Sequence, residues 1–197
     1  MPDDDTLIAT LRLARTENVG PVTFQRLIGI YGNPAAALEA LPELSQRGGR
    51  KRALKPASRK EAEDELNRTR EFGGEYLVWG RDGYPEALAP LPDAPPVLAA
   101  YGHTHLLARP SIAIVGARNA SATGLKMAEI LSEGLSARDF VIVSGLARGI
   151  DASAHKFAVE NGTIAVLGNG IAHAYPCLLY TSPSPRDATL SRMPSSA

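Results

Sequence analysis

The sequence predicts an α/β chain, a helical N-terminal part followed by an incomplete parallel sheet, and three observations carry that expectation. Residues 6 to about 76 place apolar side chains at helical spacing. Three short apolar runs follow: Ile112-Ala113-Ile114-Val115, Phe140-Val141-Ile142-Val143 and Thr163-Ile164-Ala165-Val166-Leu167. Each run ends in a glycine-bearing turn, respectively Gly116-Ala117-Arg118, Ser144-Gly145-Leu146-Ala147-Arg148-Gly149 and Gly168-Asn169-Gly170. Helical stretches separate the runs. A β-α-β-α-β order makes consecutive strands parallel and brings all three turns to one edge, where open α/β sheets bind ligands. Backbone N–H groups and helix N-termini at such an edge suit an anion, usually a phosphate.

The helices come first in the chain. Leu7, Ile8, Leu11, Leu13 and Ala14 form one apolar face, and Val22, Phe24, Leu27, Ile28 and Ile30 a second. Ala35 to Leu41 reads as a third helix, with Asn33 as N-cap and Pro34 at its first position. Ser58 to Phe72 reads as a fourth, and its Lys60, Glu61, Glu63, Asp64, Glu65 and Arg68 predict a largely solvated face. The basic stretch Gln46-Arg47-Gly48-Gly49-Arg50-Lys51-Arg52 between them is expected to be a surface loop. Asn18-Val19-Gly20-Pro21-Val22 joins the first two helices through a tight glycine turn, the layout of a helix–hairpin–helix, in which hairpin N–H groups hold a DNA phosphate. Pro21 removes one such donor, so a purely structural helix turn is the preferred reading of these residues alone.

Residues 73 to 110 are rich in glycine and proline. Tyr76-Leu77-Val78-Trp79 and Pro96-Val97-Leu98-Ala99-Ala100-Tyr101 read as short strands in a connector packed on the edge of the following domain. Residues 111 to 176 form the α/β unit. Its first crossover helix is expected from Thr123 to Ala137, with Leu125, Ala128, Ile130, Leu131 and Leu135 near helical spacing. The second is expected to start at an Asp151 N-cap and to stop by Asn161-Gly162. The last 21 residues, from Cys177, are rich in Ser and Pro and lack an apolar period, as a disordered tail would. They also look like sequencing adapter translated in frame, and no function is assigned to them. The expected division is a helical domain over 1–76, an α/β domain over 77–176 and a tail over 177–197.

Composition narrows the function. With 21 basic and 21 acidic residues the formal charge is zero, so no broad electrostatic footprint for nucleic acid exists and any such binding falls to a local pocket. Cys177 is the single cysteine, and His103, His105, His155 and His173 stand in no metal-ligand pattern, so neither a disulfide framework nor a metal is expected. No apolar run approaches the ~20 residues of a membrane span. The acidic start, Met1-Pro2-Asp3-Asp4-Asp5, is unlike a signal peptide, and the expected compartment is the cytoplasm.

The chemistry concentrates in Ser144-Gly145-Leu146-Ala147-Arg148-Gly149-Ile150-Asp151. Gly145 and Gly149 let the backbone bend and approach a ligand without a Cβ in the way. Arg148 offers a fork of donors suited to phosphate oxygens, and the turn opens into a helix whose N-terminal dipole is partly positive. Arg118, after Gly116, is expected at the same edge, with Asn119, Ser121 and Thr123 close behind. Asp151 and His155 lie one helical turn apart; a structural cap is the expected role of Asp151, ahead of an acid–base pair. Neither turn reads G-x-G-x-x-G, no acidic residue ends the second strand to hold a ribose, and no G-K-[ST] follows, so ordinary NAD and ATP binding are disfavoured.

Ile114-Val115-Gly116-Ala117-Arg118, Val143-Ser144-Gly145-Leu146-Ala147-Arg148-Gly149-Ile150-Asp151-Ala152-Ser153-Ala154-His155 and Ile164-Ala165-Val166-Leu167-Gly168-Asn169-Gly170 closely resemble the DprA/Smf family of DNA-processing proteins of bacterial transformation. Tyr84-Pro85 and Pro95-Pro96-Val97-Leu98 extend the resemblance upstream. It implies a SAM-like or helix–hairpin–helix domain followed by a Rossmann-like domain, of which only the N-terminal half stands here. It implies a homodimeric protein that binds and protects incoming single-stranded DNA and loads the RecA recombinase on it, with no catalytic residues and no cofactor. Carried over to this chain, the phosphate-binding residues are Gly116, Arg118, Asn119, Ser144, Gly145, Arg148 and Gly149. The family's further strands and basic motif beyond Tyr175-Pro176 are missing. Two alternatives share the core: a nucleotide-hydrolysing enzyme such as a phosphoribohydrolase, which needs a carboxylate at the glycosidic bond, and a nucleotide sensor without turnover.

Overall fold

The computed structural model describes residues 3–47 and 54–168. The basic stretch 48–52, Asn169 and Gly170 of the third glycine turn, and the Ser/Pro tail lie outside the described residues. Two compact units are present, Met1–Thr104 and His105–Ala197.

In the first unit, helices α1 (Asp4–Arg15), α2 (Pro21–Tyr31), α3 (Pro34–Arg47) and α4 (Arg59–Glu71) precede a hairpin of β1 (Glu75–Val78) and β2 (Val97–Ala100). Caps set the helix starts: the side chains of Asp3, Asn33 and Ser58 accept from the N–H groups of Thr6, Ala36 and Glu61. The turn between α1 and α2 is tight because Asn18 takes a left-handed φ of 64°, and Pro21 opens α2 at a position that has no N–H bond to lose. The charged face of α4 is not merely solvated. Arg70 grips Asp4 with two bonds, at 2.6 and 2.8 Å, and Arg59 reaches both Asp5 and Glu63.

Three features differ from the sequence expectation. Helix α3 does not stop at Leu41 but runs on through Pro42. Pro42 forgoes one helical bond, while Leu38, Leu41 and Leu44 on either side keep packing against Leu13, Phe24 and Leu27. The glycine- and proline-rich segment, expected to be a connector, packs within the first unit. Tyr76, Val78 and Val97 of the β1–β2 hairpin bury against Leu7, Ile8, Leu11, Ala62 and Leu66, and the first compact unit runs to Thr104, past the division expected at 76/77. The hairpin pairs antiparallel, Glu75 opposite Ala100 through Val78 opposite Val97, and one of its faces needs the α1–α4 surface to leave water. Leu11 is fully buried at that seam. Leu11→Ala is therefore expected to cost about 2–5 kcal/mol, read as a lower urea midpoint for this unit.

In the second unit, β3 (Ser111–Ala113), β4 (Val141–Ser144) and β5 (Thr163–Ala165) form a parallel sheet in the order β3-β4-β5, with α5 (Ala122–Ser136) and α6 (Ile150–Ala158) as crossovers. The register places Ile112 beside Ile142 and Ile142 beside Thr163. Ile142 packs with Ala154 and Ala158 of α6 and with Ile114 and Leu135. The apolar face expected of the first crossover helix is only partly used. Ala128, Ser132 and Ser136 are the buried positions of α5, whereas Ile130 and Leu131 are about half exposed. Small residues let α5 lie close to its neighbours in a way that bulkier side chains on the adjacent face would not.

Candidate functional site

The ends of β3 and β4 carry the turns 114–121 and 145–149 side by side, as parallel pairing requires. The two are joined directly, since the N–H of Ile150 donates to Ala117 O at 3.2 Å. The glycines at this seam serve the contact between turns. A Cβ at Gly149 would collide with the carbonyl oxygen of Ala117 and stand 2.7 Å from that of Arg118. Gly149 also holds φ 85°, a conformation that side chains strain against. A Cβ at Gly116 would stand 2.7 Å from the Ile150 side chain, and one at Gly145 would stand 2.9 Å from Asp151 Oδ2. Gly145 and Gly149, expected to give room to a ligand, thus give room to the protein itself.

Asp151 is the second correction. Gly149, not Asp151, is the N-cap of α6, and no side chain caps that helix. The N-cap lies two residues earlier than expected, which puts Asp151 in the first turn of the helix. From there Oδ1 accepts from the N–H of Gly116 at 3.2 Å and Oδ2 from the N–H of Ala147 at 3.4 Å. The carboxylate of this buried residue ties the two turns together. Leu146, missed by sequence reasoning, takes φ 56° between them while its side chain is buried. Such backbone strain costs on the order of 1 kcal/mol and is held by the packing around it.

Ser144 does not face the edge. Its side chain is buried and its Oγ donates to Ile114 O at 2.5 Å, because strand parity turns it to the same face as Ile142. Its hydroxyl is therefore unavailable to an anion. Gly116, Arg118, Asn119 and Arg148 are exposed at the edge. Ser121 caps α5 instead, accepting from Gly124 N–H at 3.1 Å. Helix α6 brings a second line of polar residues inward. His155 Nδ1 lies 2.8 Å from Thr163 Oγ1, which donates to Ile142 O at 2.6 Å, so Nδ1 carries the proton that Thr163 accepts. Among the described residues no group of His, Cys, Asp and Glu could hold a metal ion.

Burial holds the His155 imidazole below its ordinary value of 6.5, against the opposing pull of the Asp151 charge and the Ser144 carbonyl. The unfolded chain then binds the proton more readily than the folded one. This contribution to stability is full above pH 6.5 and is lost as pH falls from there toward the lower folded-state value. Urea midpoints measured from pH 8 to pH 5 should decline through this window in the parent chain and decline less in His155→Asn, whose amide keeps a donor for Thr163. Equal slopes would remove His155 as the cause.

A family model described as DNA recombination-mediator protein A matches residues 75–180, more than half of the chain. The chain belongs to this family. A second model, the DprA-like N-terminal HHH domain, matches residues 4–67, so the Asn18–Val22 turn sits inside an HHH domain, where the residues alone favoured a plain turn. The chain is 46% identical over 97 residues to the DNA processing protein DprA of Streptococcus pneumoniae, covering 48% of this chain and 34% of that protein. It is 32% identical over 184 residues to Protein Smf of Synechocystis, covering 84% of this chain and 45% of that protein. The X-ray structure of the pneumococcal DprA aligns with a TM-score of 0.60 at 29% identity, over 90% of this chain and 62% of that one. The chain thus spans from about a third to under half the length of these curated relatives. No helix among the described residues is long and apolar enough to cross a membrane.

Proposed function

We propose that this member of the DNA recombination-mediator protein A family binds single-stranded DNA through the backbone phosphates, at the edge formed by the turns after β3 and β4. One observation carries the reading: two neighbouring turns, locked by the Ile150–Ala117 hydrogen bond, each present an exposed arginine beside the uncapped N-terminus of α6. Arg118 and Arg148 supply charge-assisted donors, and the helix end adds N–H groups and partial positive charge. Asn119 lies exposed beside the two arginines, whereas Gly116, Gly145 and Gly149 let the two turns approach each other and Ser144 holds the end of β4 to β3, so these four act by shaping the edge. Phosphate contacts of this kind position a strand and carry no base information.

In this reading the binding protects DNA taken up during transformation and hands it to the RecA recombinase, with the protein acting as a homodimer in the cytoplasm and without turnover or cofactor. The family's name, a recombination mediator, and the name of the pneumococcal relative, DNA processing protein, support that role. The test is a titration of this chain against fluorescent oligothymidylate and a mixed-sequence strand, with a duplex as comparison. Tighter binding to single strands with little dependence on base sequence is expected. Absence of single-strand binding, or release of free base from nucleoside monophosphates, would overturn the reading.

A further inference from the structure

We propose that Asp151 makes this edge selective for phosphodiester over phosphomonoester groups, so that it accepts the internal backbone of a nucleic acid and disfavours terminal phosphates and free nucleotides. The inference rests on the phosphate-binding reading above and adds its charge selectivity. Asp151 lies in the seam between the two turns, with one oxygen on Gly116 N–H, the other on Ala147 N–H, and Oδ2 close beneath Gly145. These bonds have two consequences. Gly116 and Ala147 no longer offer their N–H groups to a ligand, and the N–H of Ile150 is held by Ala117. The donors remaining at the start of α6 are those of Asp151 and Ala152, for which the helix provides no partner. An anion on those donors would sit about 6–8 Å from a buried carboxylate.

That carboxylate is in no ion pair among the described residues. A phosphodiester brings one negative charge and a terminal monoester close to two at neutral pH. The additional charge is attracted by Arg118 and Arg148 and repelled by Asp151. Both arginines are exposed, so water and salt screen their attraction, while Asp151 is a buried residue whose charge is screened far less. At an effective dielectric of about 20 and a separation of 6–8 Å, the uncompensated repulsion corresponds to about a tenfold or greater loss of affinity for the monoester. The arrangement also bears on the nucleotide-enzyme alternative, whose substrates end in a monoester.

The experiment is competition at pH 8, with the full 197-residue chain bound to labelled oligothymidylate. The competitors are thymidine 5′-phosphate and its methyl ester, which share base, sugar and phosphorus and differ by one charge. The parent chain should bind the methyl ester about tenfold more tightly. Asp151→Asn should bring the two affinities to within about threefold, mainly by strengthening the monoester. Asp151→Ser, whose hydroxyl still accepts one N–H, should do the same and serves if the asparagine variant does not fold. Equal affinities in the parent chain, or tighter binding of the monoester, would overturn the inference whatever the variants do. A folded neutral variant that keeps the parent ratio would also overturn it. Oligothymidylate binding with no discrimination sinks this inference alone; no oligothymidylate binding sinks the function with it.

Discussion

Gly149→Ala is expected to destabilise the second unit by about 3 kcal/mol or more and to abolish DNA binding with it. Two terms add. An L side chain at φ 85° is strained by about 1–3 kcal/mol, and the new Cβ would overlap the Ala117 carbonyl and press on that of Arg118, an overpacking worth about 1–3 kcal/mol. The atoms in the way are backbone, and Ala117 O is the acceptor that locks the two turns through Ile150. Relief therefore requires the turns to separate, which moves Arg118 and Arg148 apart. Against a typical total of 5–15 kcal/mol, this loss is large. Gly29→Ala is the control: it lies in α2 with nothing within 4 Å of its Cβ position and should stabilise by up to about 1 kcal/mol through helix propensity. Urea denaturation of both variants, with DNA titration alongside, decides the matter. A Gly149→Ala midpoint within about 0.5 kcal/mol of the parent would mean that the turns are not held as described.

The Arg118→Ala/Arg148→Ala double variant should lose single-stranded DNA affinity by about a hundredfold or more while remaining as stable as the parent. Both side chains are exposed and neither takes part in an ion pair among the described residues, so their removal should leave folding within about 0.5 kcal/mol. Each charge-assisted bond to phosphate is worth about 1.5–3 kcal/mol. Removal of two phosphate contacts should also flatten the dependence of log affinity on log salt by about 1.4, at about 0.7 per contact for single strands. The single variants should each show about half of this change in slope. Arg68→Ala, on the exposed face of α4, should alter neither affinity nor slope. An unchanged slope in the double variant would place the DNA elsewhere on the molecule.

The order and type of the elements were legible in the sequence because they depend on near neighbours. Period 3.6 around Leu7 to Leu13, apolar runs of four or five, and caps such as Ser58 and Asn33 act within one or two turns of chain. The parallel sheet and its shared edge followed from the alternation of strands and helices, and Arg118 and Arg148 were legible as charges just past a strand end. What depended on distant partners was not. Helix α3 continues through Pro42 because three leucines pack against helices up to 31 residues earlier in the chain. The hairpin after Gly74 joins the helices because the uncovered apolar surface is theirs. Parity along β4 sends Ser144 into the sheet, though its place before Gly145 reads like part of a cradle. The glycines and Asp151 show the difference most directly. By itself, the sequence determined that glycines and an acid stand at a strand-to-helix turn. Only the tertiary structure decided that those glycines admit the neighbouring turn and that the acid binds its N–H groups, since both depend on a second turn some 30 residues away in sequence and in contact in space.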